Sequence, residues 1–246
     1  TRLFSAIFSI YLVFWSKKNW ISLELKDLKF DYFTSKRILK VGIPAAVEQL
    51  GLRIGMLIFE MMVISLGNLS YAAHKIALTA ESISYNLGFA FSFAASALVG
   101  QELGKGSSQK ALKDGYICTI IAMIVMSTFG LLFFIIPQFL VLLFTKDKDV
   151  IELATMALKI VSICQPFSGA SMVLAGALRG AGDTKSVLFI TYLGIFLIRI
   201  PITYLFLDVL NFGLAGAWIV MTIDLAIRSS LAFYIFRRGK WKYLQV

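Results

Sequence analysis

Apolar residues run along the chain in long blocks separated by short polar joints, and no period-two alternation lasts beyond a few residues. Six blocks, at approximately 41–66, 71–99, 116–144, 150–177, 186–207 and 213–236, each supply the roughly 20 apolar residues that a helix needs to cross a bilayer core. A shorter block, Leu3 to Trp15, stops at Lys17-Lys18 and is too short for a full crossing. The pattern predicts an all-α, polytopic membrane helix bundle in three parts. Residues 1–15 are the end of a truncated transmembrane helix, 16–40 a basic connector, and 41–246 a six-helix transmembrane domain with a short tail. No small-residue cleavage site follows the first block, which argues against a signal peptide. With Thr1 in place of Met at the start, the chain is expected to be part of a longer protein.

Composition supports this reading. Of 246 residues, 59% are hydrophobic and 15% charged, against roughly 45–50% apolar in a soluble domain. Four prolines and two cysteines remove collagen, disorder and a disulfide scaffold from consideration. The net charge of +10 would suit a nucleic-acid binder, but the basic residues are spread over several joints without aromatic interleaving. Their distribution instead sets an orientation. Sixteen Lys and Arg lie in 16–40, 100–115, 178–185 and beyond 236, whereas the alternate joints hold only Lys146 and Lys148. The positive-inside bias therefore predicts a cytoplasmic connector and C-terminus.

Enzymatic signatures are absent. Gly100 to Gly106 superficially resembles a phosphate-binding loop, yet it is one residue short between its glycines, lacks Ser or Thr after the Lys and follows a helix. One histidine, His74, and two distant cysteines, Cys118 and Cys164, do not make a metal site. No G-x-S-x-G motif is present. No catalytic residue, metal or cofactor is expected.

The informative residues are the ionisable ones inside the blocks: Glu48, Arg53, Glu60, His74, Lys75, Glu81, Lys159, Arg199, Asp224 and Arg228. Each costs roughly 2.5–3.5 kcal/mol at mid-bilayer, so each should face the bundle interior or a wet cavity. Asp224 and Arg228 stand four apart, acid first, in favourable pairing geometry. Arg199 lies two residues before Pro201, whose missing N–H frees a carbonyl; the guanidinium is expected on that carbonyl or on a neighbouring acid. Lys159 lies too deep for easy snorkelling and should be paired or line a cavity. Glu81, Ser84, Tyr85, Gly88, Ser92, Ala95 and Ser96 share one helical face, suited either to close helix packing or to lining water. Glu48, beside Gln49, is not cancelled by Arg53 within its helix, which leaves ion coupling and a structural ion pair both open. Gln165-Pro166, in mid-block, predicts a bend that exposes backbone to a cavity.

Gly42 to Gly51 (GIPAAVEQLG), Leu66-Gly67 followed by Ala72 to Ile76 (AAHKI), Leu98 to Gly106 (LVGQELGKG) and Ala175 to Lys185 (AGALRGAGDTK) come in this order along the chain. The succession resembles the second half of a bacterial multidrug and toxic compound extrusion (MATE) transporter and covers the chain from about Leu39. The resemblance implies twelve helices in two six-helix lobes, with this chain as the C-terminal lobe. It also implies secondary active efflux of organic, cationic and amphiphilic compounds by proton or sodium antiport with alternating access. Sodium-coupled members carry acids at positions matching Leu52 and Ser168; both are missing here, which leaves Glu48 as the substitute. The expected pathway residues are Glu48, Gln49, Arg53, Glu81, Tyr85, Lys159, Gln165, Pro166, Arg199, Asp224 and Arg228. The expected partners are small organic substrates, the lipid bilayer and an N-terminal lobe, in the bacterial inner membrane. A flippase for lipid-linked oligosaccharides is the alternative within the same architecture, and a channel or structural membrane subunit the alternative outside it.

Overall fold

The computed structural model describes Phe4, Phe8 and residues 31–243, with backbone only for Arg37. The expected truncated helix over 1–15, apart from Phe4 and Phe8, and the connector over 16–30 lie outside the described residues. Two units are distinguished, residues 1–40 and 41–246. In the first, Asp31 starts a helix: its carboxylate accepts from the backbone N–H of Phe33 at 3.0 Å and of Thr34 at 3.3 Å, satisfying donors that have no intrahelical partner. Residues from Tyr32 onward, expected as connector, are therefore helical.

The helices, in order, are α1 (Tyr32–Ile64), α2 (Asn68–Gly104), α3 (Ser108–Ile135), α4 (Pro137–Leu142), α5 (Lys148–Ser162), α6 (Gln165–Gly180), α7 (Thr184–Val209) and α8 (Gly213–Arg238). A final 3-10 turn covers Lys240–Tyr243. Every expected apolar block falls on one of these helices or on a pair. By length and apolarity α2, α3, α7 and α8 each suffice to cross a membrane, and α5 with α6 makes a fifth span bent by 59°. The 33-residue α1 carries Glu48 at its midpoint and Arg53 and Glu60 in its second half. The block at 116–144 is split at Ile136, where Pro137 takes the first-turn position of α4 and its missing N–H costs little.

Within residues 41–246 the buried side chains form two apolar clusters at different heights. One gathers Val63, Phe133, Leu158 and Trp218. The other gathers Val99, Leu174, Phe236 and Trp241, the last two rings stacked at 4.8 Å. Between them, the middles of the same helices contribute buried polar groups: Glu81, Ser84, Gln165, Ser168, Arg199 and Asp224. The apolar clusters supply the packing; the polar belt is the place for chemistry.

Small residues bring helices into contact around that belt. A Cβ on Gly176 or Gly180 would collide with the carbonyls of Ser92 and Ser96, so α6 packs directly on the backbone of α2. The lower part of the small-residue face on α2 is thus a packing surface, as small residues permit in membrane bundles. In α7, residues Leu193–Arg199 widen into a π-helical turn, a deviation that often accompanies functional sites. Gly194 within it lies against Asp224 and Arg228, where a side chain would not fit.

Candidate functional site

Glu81 sits on the inward face of α2, with 4% of its surface exposed. Its partner is Gln165, whose Nε2 donates to Glu81 Oε1 at 3.3 Å. Gln165 is fully buried, and as first residue of α6, directly before Pro166, it holds the corner of the bent pair. Its Oε1 accepts from the Ser84 hydroxyl at 2.8 Å, so one amide bridges two side chains one turn apart on α2. On the opposite side α3 presses against the corner, where Gly130 has no room for a Cβ beside Gln165 and the Ser162 carbonyl. The bend expected from Gln165-Pro166 is present, but with Gln165 fully buried its corner is clamped between two helices instead of opening backbone to a cavity.

A second buried cluster joins α7 and α8. Arg199 Nε and Nη2 each reach Asp224 Oδ2 at 2.8 Å, and Arg228 Nη2 reaches the same oxygen at 2.7 Å. The expected pairing of Asp224 with Arg228 is found, and Arg199 meets an acid. Arg199 also lies 5.4 Å over the Phe59 ring, a cation–π arrangement. Asp224 Oδ1 and Arg228 Nε have no hydrogen-bond partner. Two guanidiniums on one carboxylate give this cluster an excess of one positive charge.

A cavity of about 390 Å³ joins the two clusters; Met56, Phe59, His74, Glu81, Arg199 and Arg228 lie on its wall. Tyr85 and Asn86 border it from α2, and Leu52, at a position where the resemblance implied an acid, borders it from α1. Glu60 on the same wall is engaged by Lys75 and by the Tyr71 hydroxyl at 2.7 Å. His74 is packed edge-on between Phe59 and Trp218. Of the carboxylates bordering this space, Glu81 is the one hydrogen-bonded to a neutral amide rather than to a base. Size and lining match a small-molecule site, largely apolar with a few convergent polar groups.

Glu48 lies elsewhere. It is 1% exposed and is held by Arg179 Nη2 at 2.6 Å, by Arg179 Nε at 3.4 Å and by the Thr191 hydroxyl at 3.3 Å. Of the two readings open for Glu48, the structural ion pair is the one formed, and this acid does not border the cavity. Gln49 and Arg53, expected on the pathway, are exposed on α1 and do not border this cavity. Lys159 is exposed and lines a separate open groove with Gln138, Lys148 and Glu152. Ser168, the other position where an acid is missing, is fully buried against Cys164 at 3.6 Å. Sequence reasoning missed Arg179 as the partner of Glu48, although Arg179 stands within one of the loop motifs; it also missed Phe59 and Met56, ordinary apolar residues without a distinguishing signal. Among the described residues no group of three or more His, Cys, Asp or Glu could hold a metal ion.

A family model described as MatE matches residues 44–205. The curated protein "Probable multidrug resistance protein NorM" of Thermotoga maritima is 34% identical over 212 residues, which are 85% of this chain and 45% of that protein. The protein of the same name from Pasteurella multocida is 32% identical over 215 residues, covering 85% of this chain and 46% of its own. A crystal structure of MATE in complex with MaL6 superimposes with a TM-score of 0.89 at 19% identity, over 96% of this chain and 53% of that one; at that identity the likeness speaks for the fold. The chain spans about half the length of the curated relatives it matches.

Proposed function

The chain belongs to the MatE family, and from that premise we propose that it forms one lobe of a secondary carrier that exports organic, amphiphilic cations from a bacterial cell in exchange for an inward-moving proton or sodium ion. Family members are transporters and not enzymes. A second lobe completes the pathway, and alternating access between the lobes moves the substrate. The lobe sits in the inner membrane with its connector and C-terminus in the cytoplasm, as the lysine and arginine bias of the joints supports.

One observation carries the reading: a cavity of about 390 Å³ in which a buried carboxylate, Glu81, is hydrogen-bonded to an amide instead of a base. Phe59 and Met56 offer a polarizable apolar wall suited to varied ligands. A cationic substrate and the coupling ion compete for the same negative charge. Exchange follows, because either cation leaves only when the other replaces it. The cluster of Arg199, Asp224 and Arg228 fixes the far wall, and its surplus positive charge keeps small cations on the Glu81 side.

The test is efflux by the full-length transporter reconstituted in proteoliposomes, with an ethidium-like cation as substrate. An imposed inward proton or sodium gradient should accelerate efflux at least several-fold, and Glu81→Gln should remove that acceleration. Equal efflux with and without both gradients would overturn exchange. Phe59→Ala should raise KM more than it lowers kcat, since it removes binding surface shared by ground and transition states.

A further inference from the structure

We propose that Glu81, Gln165 and Ser84 form a proton-binding site, built so that the carboxylate is satisfied both with and without its proton, and that the coupling ion of this lobe is accordingly H⁺ rather than Na⁺. The proposal rests on the exchange reading for its physiological use but not for the proton itself.

Three features support it. First, the hydrogen-bond chain is reversible. As the side chains stand, Gln165 Nε2 donates to Glu81 and Ser84 donates to Gln165 Oε1. When a proton binds, an O–H bond forms on a Glu81 carboxyl oxygen and no other covalent bond breaks. The neutral acid is now a donor, and half a turn of the Gln165 amide about its last torsion presents Oε1 to it. Nε2 then points at Ser84, whose hydroxyl accepts as readily as it donates. The freed serine hydrogen can turn to the carbonyl one turn back, a common partner for serine in helices. Neither state strands a buried polar atom, a condition that decides whether a buried group can change charge cheaply.

Second, the site is poorly made for a metal cation. Hard cations want several oxygen ligands, and the guanidiniums of Arg199 and Arg228 on the wall of the same cavity oppose a fixed metal cation there. Third, the neighbouring charged and titratable groups are committed or distinguishable. From α1, Glu60 is held by Lys75 of α2. From α7 and α8, Arg199 and Arg228 share Asp224. Cys164 at the corner contacts Ser168, and Tyr85 and His74 on α2 carry no carboxyl group. The part of the carboxyl signal that Glu81→Gln removes is therefore the diagnostic one.

The experiment is infrared difference spectroscopy of the full-length transporter in lipid, stepped in pH at constant potassium or constant sodium. Wild type should show a protonated-carboxyl band that titrates identically in both salts and is missing from Glu81→Gln. Gln165→Leu, which removes a charge-assisted bond from the charged form and a weaker neutral one from the protonated form, should raise the proton affinity by about fivefold, the difference between the two losses. Glu81→Asp, which keeps a carboxyl, should retain a band at shifted pH, so a folding failure in one variant is separable from loss of the group. Carboxyl bands left unchanged by Glu81→Gln, or a Glu81-dependent band that sodium bleaches at fixed pH, overturn the proposal. A normal Glu81 band in a protein that fails to exchange cations in proteoliposomes overturns the efflux reading and leaves the proton site standing; gradient-driven exchange without the band does the reverse.

Discussion

Glu48 on α1 and Glu81 on α2 are carboxylates almost closed to solvent, at 1% and 4% exposure, yet Glu48 is gripped by a guanidinium and a hydroxyl while Glu81 meets only an amide. The difference lies in what each would leave behind on changing charge. Neutralising Glu48 strands Arg179 against α1; neutralising Glu81 strands nothing, because an amide and a hydroxyl can reverse their hydrogen bonds. A buried acid is thus no functional signal by itself. The identity of its partner separates a tie between helices from a group able to trade ions. Asp224 extends the comparison, since it carries two arginines and lies on the structural side of the division.

Substitutions break or sharpen this contrast to different degrees. The largest effect is expected at Asp224. Asp224→Leu leaves two buried guanidiniums without their acid, and loss of one partner of a buried ion pair costs about 3–5 kcal/mol; thermal unfolding in detergent should show a collapse in stability and yield. Glu48→Leu should cost less, about 1–3 kcal/mol, because Arg179 keeps 31% of its side chain exposed. The double variant Glu48→Leu/Arg179→Leu should recover part of that loss in a double-mutant cycle. Glu81→Gln should change stability by about 1 kcal/mol or less while abolishing gradient-driven exchange. If Glu48→Gln lost exchange with stability intact while Glu81→Gln lost stability with exchange intact, the two roles would be reversed.

The smallest effect concerns Glu102 at the end of α2, whose carboxyl lies below the ordinary carboxylate value of 4.5 because Lys105 and then Lys110 bond its charged form. A lowered value in the folded state means stabilisation that is present above about pH 4.5 and lost as pH falls through the lower folded value. Glu102→Gln should therefore lose a little stability at neutral pH and show a shallower acid limb than wild type when unfolding is followed against pH.

Much of the bundle was legible from the chain, because apolar blocks of about 20 residues with charged joints have few alternatives in a bilayer. The Gln165-Pro166 bend was visible for the same kind of reason, since proline removes a backbone donor at a known place. Asp224 and Arg228 were paired correctly because a spacing of four fixes helical neighbours. Glu48 was harder: its partner stands 131 positions away in another helix, and no local periodicity connects them. Lys159, expected from its depth along the helix to be paired or to line a cavity, lines an open groove apart from the Glu81 cavity, because depth says nothing of which side of the bundle a residue faces. The face on α2 carried two uses at once, packing at Ser92 and Ser96 and the candidate site at Glu81 and Ser84, and its spacing alone could not divide them.

The sequence by itself determined that the chain is a set of membrane helices, roughly where each runs, and which charged residues lie inside them, because hydrophobic block length and helical spacing are local properties. Only the tertiary structure decided which buried acid is tied to arginine and which is left with an amide. Those partners come from positions 84 and 131 residues away, and it is helix packing, through glycine contacts and a bend of 59°, that brings them within a hydrogen bond of one another.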